Sequence, residues 1–156
     1  MGTWHHYPWC FFDAEPLAQD KIIFIVDSLV TILDYKKRQI IFQQSFSFPL
    51  SACPATDTSI AVGLKTGRVT LVSTASGKKI ADYQLVNELG GKTINTSLTE
   101  VRRAANGDLL VATDFAGLVI IDKNGNITRH THDPLNTATI SANNTYRSFA
   151  GKKGRS

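Results

Sequence analysis

Short apolar stretches separated by polar turns recur along most of this chain. The clearest pair lies in residues 106–122, where apolar residues at 109–112 and 118–121 flank a tight break. Asn106-Gly107 precedes the pair, and Asn-Gly favours hairpin turns because both residues tolerate positive φ. A third candidate strand follows at 126–131. The pattern predicts a small antiparallel meander.

The same arrangement occurs twice earlier in the chain. Predicted strands lie at 21–26, 29–33, 39–46, 59–64, 69–72 and 79–85. With Asp34, Ser73 and Asp122 in register, the three units align without a gap at spacings of 39 and 49 residues, so that Ile23, Val62 and Val111 coincide. The longer second interval is assigned to a polar, glycine-rich loop at 87–95, since loops absorb insertions at little entropic cost.

A repeat of about 40–50 residues that contains several short strands is typical of a β-propeller. Helical solenoids are disfavoured, because no stretch keeps a 3.6-residue period for more than about two turns. Weaker inner strands are predicted at 10–14, 50–55 and 98–104. The sequence therefore predicts an all-β fold: four-stranded antiparallel meanders forming about three blades of an incomplete propeller. The predicted units within this single segment are residues 10–46, 50–85 and 98–132, with the start of a further blade at 144–156. Such an open segment exposes apolar faces and strand edges, which favours self-association.

Charge and composition narrow the classes of partner. The net charge is +4, but it falls to +1 when the cations of the terminal cluster Lys152, Lys153 and Arg155 are left out. A nucleic-acid partner is disfavoured, because a basic footprint should lie on a folded face.

The longest apolar run, 22–26, is far shorter than the roughly 18 residues of a membrane span. The first ten residues lack the pattern of a signal peptide. The two cysteines, Cys10 and Cys53, make no disulfide framework or metal knuckle, although a single bridge between them stays open.

Residue patterns that carry chemistry are few, and no catalytic residue, metal or cofactor is predicted. Gly90-Gly91-Lys92-Thr93 lacks the earlier glycine and the strand-to-helix context of a phosphate loop. His130 and His132 share one face of a strand and could hold a metal, but no third ligand is near in sequence. Trp4, Tyr7 and Trp9 could stack on sugars, although packing between sheets is the simpler interpretation.

The segment HDPLNTATISANN, residues 132–144, resembles the inter-blade signature H-D-P-x-N-P-x-S-L-S-x-N of two-component regulator propellers. These are the sensor domains of hybrid sensor histidine kinases. Residues 106–113 are similar to the family's G-x-L-W-V-G-T segment, and Gly117-Leu118 to its G-L, while residues 144–149 match its inner strand. Departures are Thr137 for the proline, Leu110 for the tryptophan and Ala112 for the glycine.

The resemblance implies a periplasmic or extracellular sensing module whose ligands are often oligosaccharides. In a propeller, the turn after the second strand of each blade and the segments between blades share one face. The ligand-binding residues predicted there are Lys65, Glu88, Asp114, Phe115 and His132, beside Thr66, Asn87 and Asp133. An aromatic ring beside a carboxylate suits sugar recognition. The simpler alternative is that Asp114 stabilises its turn and Phe115 packs on a neighbouring blade.

The predicted function is thus non-catalytic ligand sensing in a hybrid two-component system. The alternative is a protein-interaction or self-associating propeller without a small-molecule ligand. A propeller hydrolase or lyase is disfavoured, because it would need acidic or histidine residues converging from several blades.

Overall fold

The computed structural model describes residues 14–18, 20–89 and 92–146, with backbone alone at 18, 87–89 and 92–94. The fold is all-β over these residues and consists mainly of three four-stranded antiparallel sheets, the blades of an incomplete propeller. The predicted fold class is confirmed. Among the described residues there is no helix long and apolar enough to cross a membrane.

Each blade is a meander in which consecutive strands pair. Blade 1 contains β1 (Ala14–Ala18), β2 (Lys21–Val26), β3 (Leu29–Asp34) and β4 (Gln39–Ser45). Blade 2 contains β5 (Pro49–Thr56), β6 (Ser59–Leu64), β7 (Arg68–Ser73) and β8 (Lys79–Gln84). After an inserted hairpin of β9 (Val86–Leu89) and β10 (Lys92–Asn95), blade 3 contains β11 (Leu98–Arg103), β12 (Leu109–Thr113), β13 (Leu118–Ile121) and β14 (Ile127–His130).

The inserted hairpin corrects the prediction of a loop at 87–95. There β9 and β10 pair in antiparallel fashion, with Asn95 opposite Val86 and Lys92 opposite Leu89. Backbone hydrogen bonding therefore continues through the insertion. The first inner strand is also displaced from its predicted place: β1 begins at Ala14, where the predicted strand at 10–14 ends, and residues 10–13 lie outside the described part. Residues 144–146 are described but form no strand, and the rest of the predicted blade at 144–156 lies outside.

Blade 2 is the centre of the molecule because it is buried on both faces. All six residues of β6 are buried. Alternate residues of a strand point to opposite faces, so Ile60, Val62 and Leu64 pack against blade 1 while Ala61 packs against blade 3. The blade 1–2 core contains Ile23, Ile25, Val30, Ile32, Phe42, Ala52, Ile60, Val62, Leu64 and Val72. The blade 2–3 core contains Cys53, Ala55, Ala61, Val69, Leu85, Leu98, Val101, Leu109, Val111, Val119 and Ile121. Cys53 is thus a core residue, and Cys10 lies outside the described residues.

The strand register shows that the ungapped repeat alignment is wrong in one place. Val26 pairs with Leu29 across a two-residue turn, whereas Leu64 pairs with Arg68 across a three-residue turn. A one-residue difference turns every side chain of a strand to the other face. Ile23 accordingly faces the following blade, while Val62 faces the preceding one. The alignment of β3 with β7 is unaffected.

The innermost strands β1, β5 and β11 approach one another at the propeller axis. The Ser51 hydroxyl of β5 donates to the backbone carbonyl of Val101 in β11 at 3.2 Å. Arg102 of β11 forms ion pairs with Glu100, at 3.2 Å, and with Glu15 of β1. The latter pair links blades 1 and 3 directly, so three consecutive blades follow an arc.

The meanders give the arc two rims, which carry different turns. The connector face is the rim with the turns between the second and third strands of each blade (27–28, 65–67 and 114–117) and the described segments between blades (46–48, 85–89, 92–97 and 131–146). The opposite face carries the turns at 35–38, 57–58, 74–78, 104–108 and 122–126. The predicted ligand-binding residues belong to the connector face.

Candidate functional site

Four of the five predicted ligand-binding side chains are described, and all four lie on the connector face. Lys65 is exposed in the β6–β7 turn, and the β12–β13 turn carries a half-buried Asp114 and an exposed Phe115. His132 is exposed two residues after β14 ends. Glu88 lies within β9, where the side chains fall outside the described residues. The site remains a prediction, and its geometry follows from the turns that hold it.

The turn that carries Phe115 is tied to the segment that follows β14. The Asp114 N–H donates to the Ser97 carbonyl at 3.0 Å, and the Phe115 N–H donates to Asn144 Oδ1 at 3.2 Å. Phe115 has a φ of 69° and is 69% exposed. At Gly117 (φ 78°) a Cβ would come within 2.1 Å of the His130 carbonyl oxygen, so only glycine fits there. The backbone therefore holds the Phe115 ring out towards solvent.

His132 is anchored in a compact segment with its own hydrogen bonds. Its backbone N–H donates to Asn143 Oδ1 at 2.6 Å, and its ring Nδ1 lies 2.7 Å from the carbonyl oxygen of Ile140. Because a carbonyl can only accept, Nδ1 carries the proton and donates, which leaves Nε2 for another partner. The same segment is braced by the Asp133 N–H, which donates to Thr139 Oγ1 at 2.9 Å. His132 and Phe115 are thus bound to the neighbouring asparagines 143 and 144.

Lys65 belongs to a different part of the face, beside Phe48. The Lys65 N–H donates to the Phe48 carbonyl at 2.9 Å. The hydrogen bond from the Asp114 N–H to the Ser97 carbonyl is the equivalent bond in the next blade, since each partner lies 49 residues further along the chain. The Lys65 ammonium makes no hydrogen bond or ion pair with the residues that the structure describes. It is therefore available on the connector face.

Phe48 is a candidate site residue that the sequence reasoning missed. It has a φ of 52° and is 69% exposed, as Phe115 is. A left-handed backbone costs a residue with a Cβ about 1–2 kcal/mol. The signal that could have found it is the repeat itself, because Phe48 and Lys65 stand 17 residues apart, as Ser97 and Asp114 do. Positive φ elsewhere occurs at Asp27 and Arg38, which lie in strand-connecting turns.

The described residues of the connector face suit binding by stacking and hydrogen bonding. Two exposed rings, Phe48 and Phe115, come from neighbouring blades, and a carboxylate and a cation accompany them in Asp114 and Lys65. Aromatic faces stack on apolar surfaces of a ligand, a carboxylate accepts hydroxyl protons and an ammonium donates. Across residues 14–18, 20–89 and 92–146, no three His, Cys, Asp or Glu side chains are grouped to hold a metal ion. His130 and His132 accordingly have no third ligand within those ranges.

The sequence matches no protein-family model, and a comparison with curated proteins gives no significant match. The resemblance of residues 132–144 to the inter-blade signature of two-component regulator propellers therefore stays a prediction.

Proposed function

We propose that this chain is a non-catalytic, ligand-sensing segment of a β-propeller that binds oligosaccharides on its connector face. The observation that carries the proposal is the pair of exposed rings at Phe48 and Phe115, each on a left-handed backbone. Strained backbone conformations of non-glycine residues concentrate at functional sites, where the fold compensates for them. Two such residues on the same rim of neighbouring blades would place two stacking surfaces along one extended ligand.

Oligosaccharides fit this arrangement better than other small ligands. Sugar rings have one apolar face for stacking and hydroxyl groups around it. Asp114 would accept hydroxyl protons, while Lys65 would donate to ring or hydroxyl oxygens. At the end of β14 this rim also has a cavity of about 310 Å³, lined by Arg129, His130, Thr131, Ala138, Thr139 and Ile140.

The proposed setting is the periplasmic sensor of a hybrid two-component system. The support is the resemblance of residues 132–144, together with their location directly after β14, the last strand of blade 3. A segment between blades is where the family carries its signature. Binding beside this segment would couple a ligand to the packing of successive blades.

Thermal stabilisation and calorimetry against a panel of oligosaccharides test the sensing role. We expect at least one oligosaccharide to raise the melting temperature of the wild-type chain, and Phe115→Ala or Phe48→Ala to weaken its binding at least tenfold. The matched control is Tyr35→Ala, which removes an exposed ring from the opposite face and should leave binding unchanged. A panel in which no sugar binds, or binding that survives both substitutions, would contradict the proposal.

The second candidate function is a self-associating or protein-interaction scaffold, and a specific observation favours it. Ile22 and Phe24 alternate with the buried Ile23 and Ile25 of β2, so they lie on the side of blade 1 that faces away from blade 2. Both are half-buried, and no other described sheet packs on that side. A second copy of the chain could cover these residues.

Light scattering coupled to size exclusion separates this scaffold from a monomeric sensor. If the scaffold is correct, the wild-type chain is a dimer or larger and Phe24→Glu makes it monomeric. Ile80→Glu is the matched control, because it places the same charge on an exposed outer-strand position of blade 2. A monomeric wild type would exclude the scaffold at the concentrations tested.

A further inference from the structure

A cavity of about 290 Å³ opens on the opposite face, between blades 2 and 3. Its walls are mainly apolar and come from both blades: Ala55, Leu71 and Tyr83 on one side, Leu109 and Ile121 on the other. None of these residues belongs to the connector face. The cavity is therefore separate from the site proposed above, and nothing in the sensing role requires it.

The cavity lies where the small side chain of Ala55 on blade 2 is opposite Leu109 and Ile121 of blade 3. Leu71 and Tyr83 of blade 2 line the cavity beside it but do not fill the space. An apolar cavity open to solvent at one end favours an apolar ligand, because binding removes the apolar surface of the ligand from water. Water itself would find few polar partners on these walls.

The mouth of the cavity is positively charged. Arg103 and Lys123 line it, and neither forms an ion pair with any described residue. Lys123 lies over Gly107, where a Cβ would come within 3.0 Å of its Cε. Such a placement brings the ammonium to the opening, beside the end of β11 that carries Arg103.

The nearby carboxylates are already engaged in their own turns. Asp122, which also lines the cavity, accepts hydrogen bonds at 2.8 Å from the backbone N–H groups of Asn124 and Asn126 and from the Asn126 side chain. Asp108 accepts from the Asn106 side-chain amide at 2.6 Å. Asp122 keeps its negative charge, so the ionised groups in the cavity lining (Arg103, Lys123 and Asp122) carry a net charge of +1, which favours an anion from solution.

We infer that this cavity binds a small amphipathic carboxylate, whose apolar body fills the space between the blades and whose carboxylate meets Arg103 and Lys123. Size limits the body. A water molecule occupies about 30 Å³ in the liquid, so the cavity holds about ten groups of that size. Octanoate, with eight carbons and two oxygens, is a probe of matching size and chemistry, and octan-1-ol is its neutral counterpart.

Binding of the two probes to the full chain, measured by calorimetry or NMR titration, tests the inference. We expect octanoate to bind at least tenfold more tightly than octan-1-ol, and its affinity to fall as salt is raised. The double variant R103Q/K123Q should lose at least tenfold in octanoate affinity and keep its affinity for octan-1-ol. Lys78→Gln is the matched control, because Lys78 lies in a turn of the same face but outside the lining.

A second measurement on the wild-type chain locates the ligand without relying on variants. Intermolecular nuclear Overhauser effects should join the octanoate chain to the Tyr83 ring and the Leu109 methyl groups. The inference is overturned if octanoate shows no saturable binding, if R103Q/K123Q binds it as tightly as the wild type does, or if those contacts arise from residues outside the cavity. Because the cavity shares no residue with the connector face, a failure here leaves the sensing proposal untouched.

Discussion

Blades 1 and 2 meet mainly through branched side chains from both sheets. Where blades 2 and 3 meet, the two inner strands of blade 2 contribute small side chains (Cys53, Ala55 and Ala61), and its two outer strands contribute larger ones (Val69, Leu71 and Tyr83). In the first interface Ile23 and Ile32 face Ile60 and Val62, and the space is filled from both sides. In the interface between blades 2 and 3, the inner strands of blade 2 contribute only the small side chains of Cys53, Ala55 and Ala61 to the core. The comparison shows how one sheet can support two kinds of contact through its alternating faces.

The space beside the small residues of the inner strands of blade 2 is filled by blade 3 at one end and left open at the other. At the Gly63 position a Cβ would come within 2.6 Å of Leu98 Cδ2, so Leu98 fills the available space completely. At the other end, beside Ala55, the facing side chains do not reach across and a cavity remains. Small residues alone therefore do not specify a cavity, because the side chains opposite decide whether it is filled.

The largest expected effect comes from breaking the filled interface. Ile32→Ala removes a fully buried side chain between two sheets, and we expect the free energy of unfolding to fall by about 2–5 kcal/mol. Urea denaturation measures the change. Ile41→Ala makes the same chemical change at a position that is 42% exposed and should stay within about 0.5 kcal/mol of wild type. Equal losses at the two positions would show that the interface is not packed as described.

A smaller effect is expected from adding a methyl group where Leu98 already fills the space. Gly63→Ala should lower the free energy of unfolding by about 1–3 kcal/mol through overpacking, although the loss of chain freedom in the unfolded state works against this cost. Leu98→Ala in the Gly63→Ala background should cost less than it does alone, because the contact between the two residues is then relieved. A double-mutant cycle measures the coupling. Additive losses would mean that the two side chains do not touch.

The matching substitution at the cavity end should have the opposite sign or no effect. Ala55→Val adds two carbons where the wall is open, and filling a cavity commonly stabilises a protein by about 0.5–2 kcal/mol. We expect Ala55→Val to leave the urea midpoint unchanged or to raise it, and to weaken octanoate binding. A loss as large as that of Gly63→Ala would contradict the difference between the two ends of this interface.

The sequence predicts the blades because each repeat contains its own signals. Two such local signals are the apolar run between Ser59 and Leu64 and the Asn-Gly turn before residue 109. The structure has the predicted strands there, β6 and β12. The hairpin at 86–95 also carries a local signal, Gly90-Gly91 between two short alternating stretches, which favours a hairpin turn. The prediction of a loop rests on the repeat alignment, which treats these residues as an insertion between two repeats.

The candidate sites were harder to predict, for two physical reasons. The exposure of Phe48 accompanies a positive φ for which the sequence shows no local pattern: Ser97 accepts the equivalent hydrogen bond in the next repeat without a positive φ. The cavity depends on Ala55 and Leu109, which are 54 residues apart in sequence and face each other only in the folded chain. The volume of a cavity between two blades depends on how well the two facing sheets fit together, and no single repeat contains both sheets.

The smallest expected effect concerns a hydrogen bond that is neutral in blade 1 and charged in blade 2. Gln43 Nε2 donates to Thr31 Oγ1 at 3.1 Å in blade 1. At the positions 39 residues further on, Thr70 Oγ1 donates to Asp82 Oδ1 at 2.9 Å. Desolvation opposes ionisation of Asp82, but hydrogen bonds from Lys79 and Thr70 and the charges of Arg68 and Lys79 together hold the pKa of Asp82 below its ordinary value.

This difference makes blade 2 the more sensitive of the two to acid. Since the folded-state pKa of Asp82 lies below the unfolded value of about 3.9, its contribution to stability is present above about pH 4 and is lost as the pH falls through the folded-state pKa. The contribution is small, because Asp82 lies on an exposed strand where solvent and salt screen its charge. Asp82→Asn should therefore flatten the fall in the free energy of unfolding below about pH 4, as measured by urea denaturation at a series of pH values. Gln43→Glu should add little acid dependence to blade 1, because Leu29 and Ile40 stand where blade 2 has Arg68 and Lys79. An unchanged pH profile in Asp82→Asn, or an equally steep acid-dependent step in Gln43→Glu, would refute this difference between the blades.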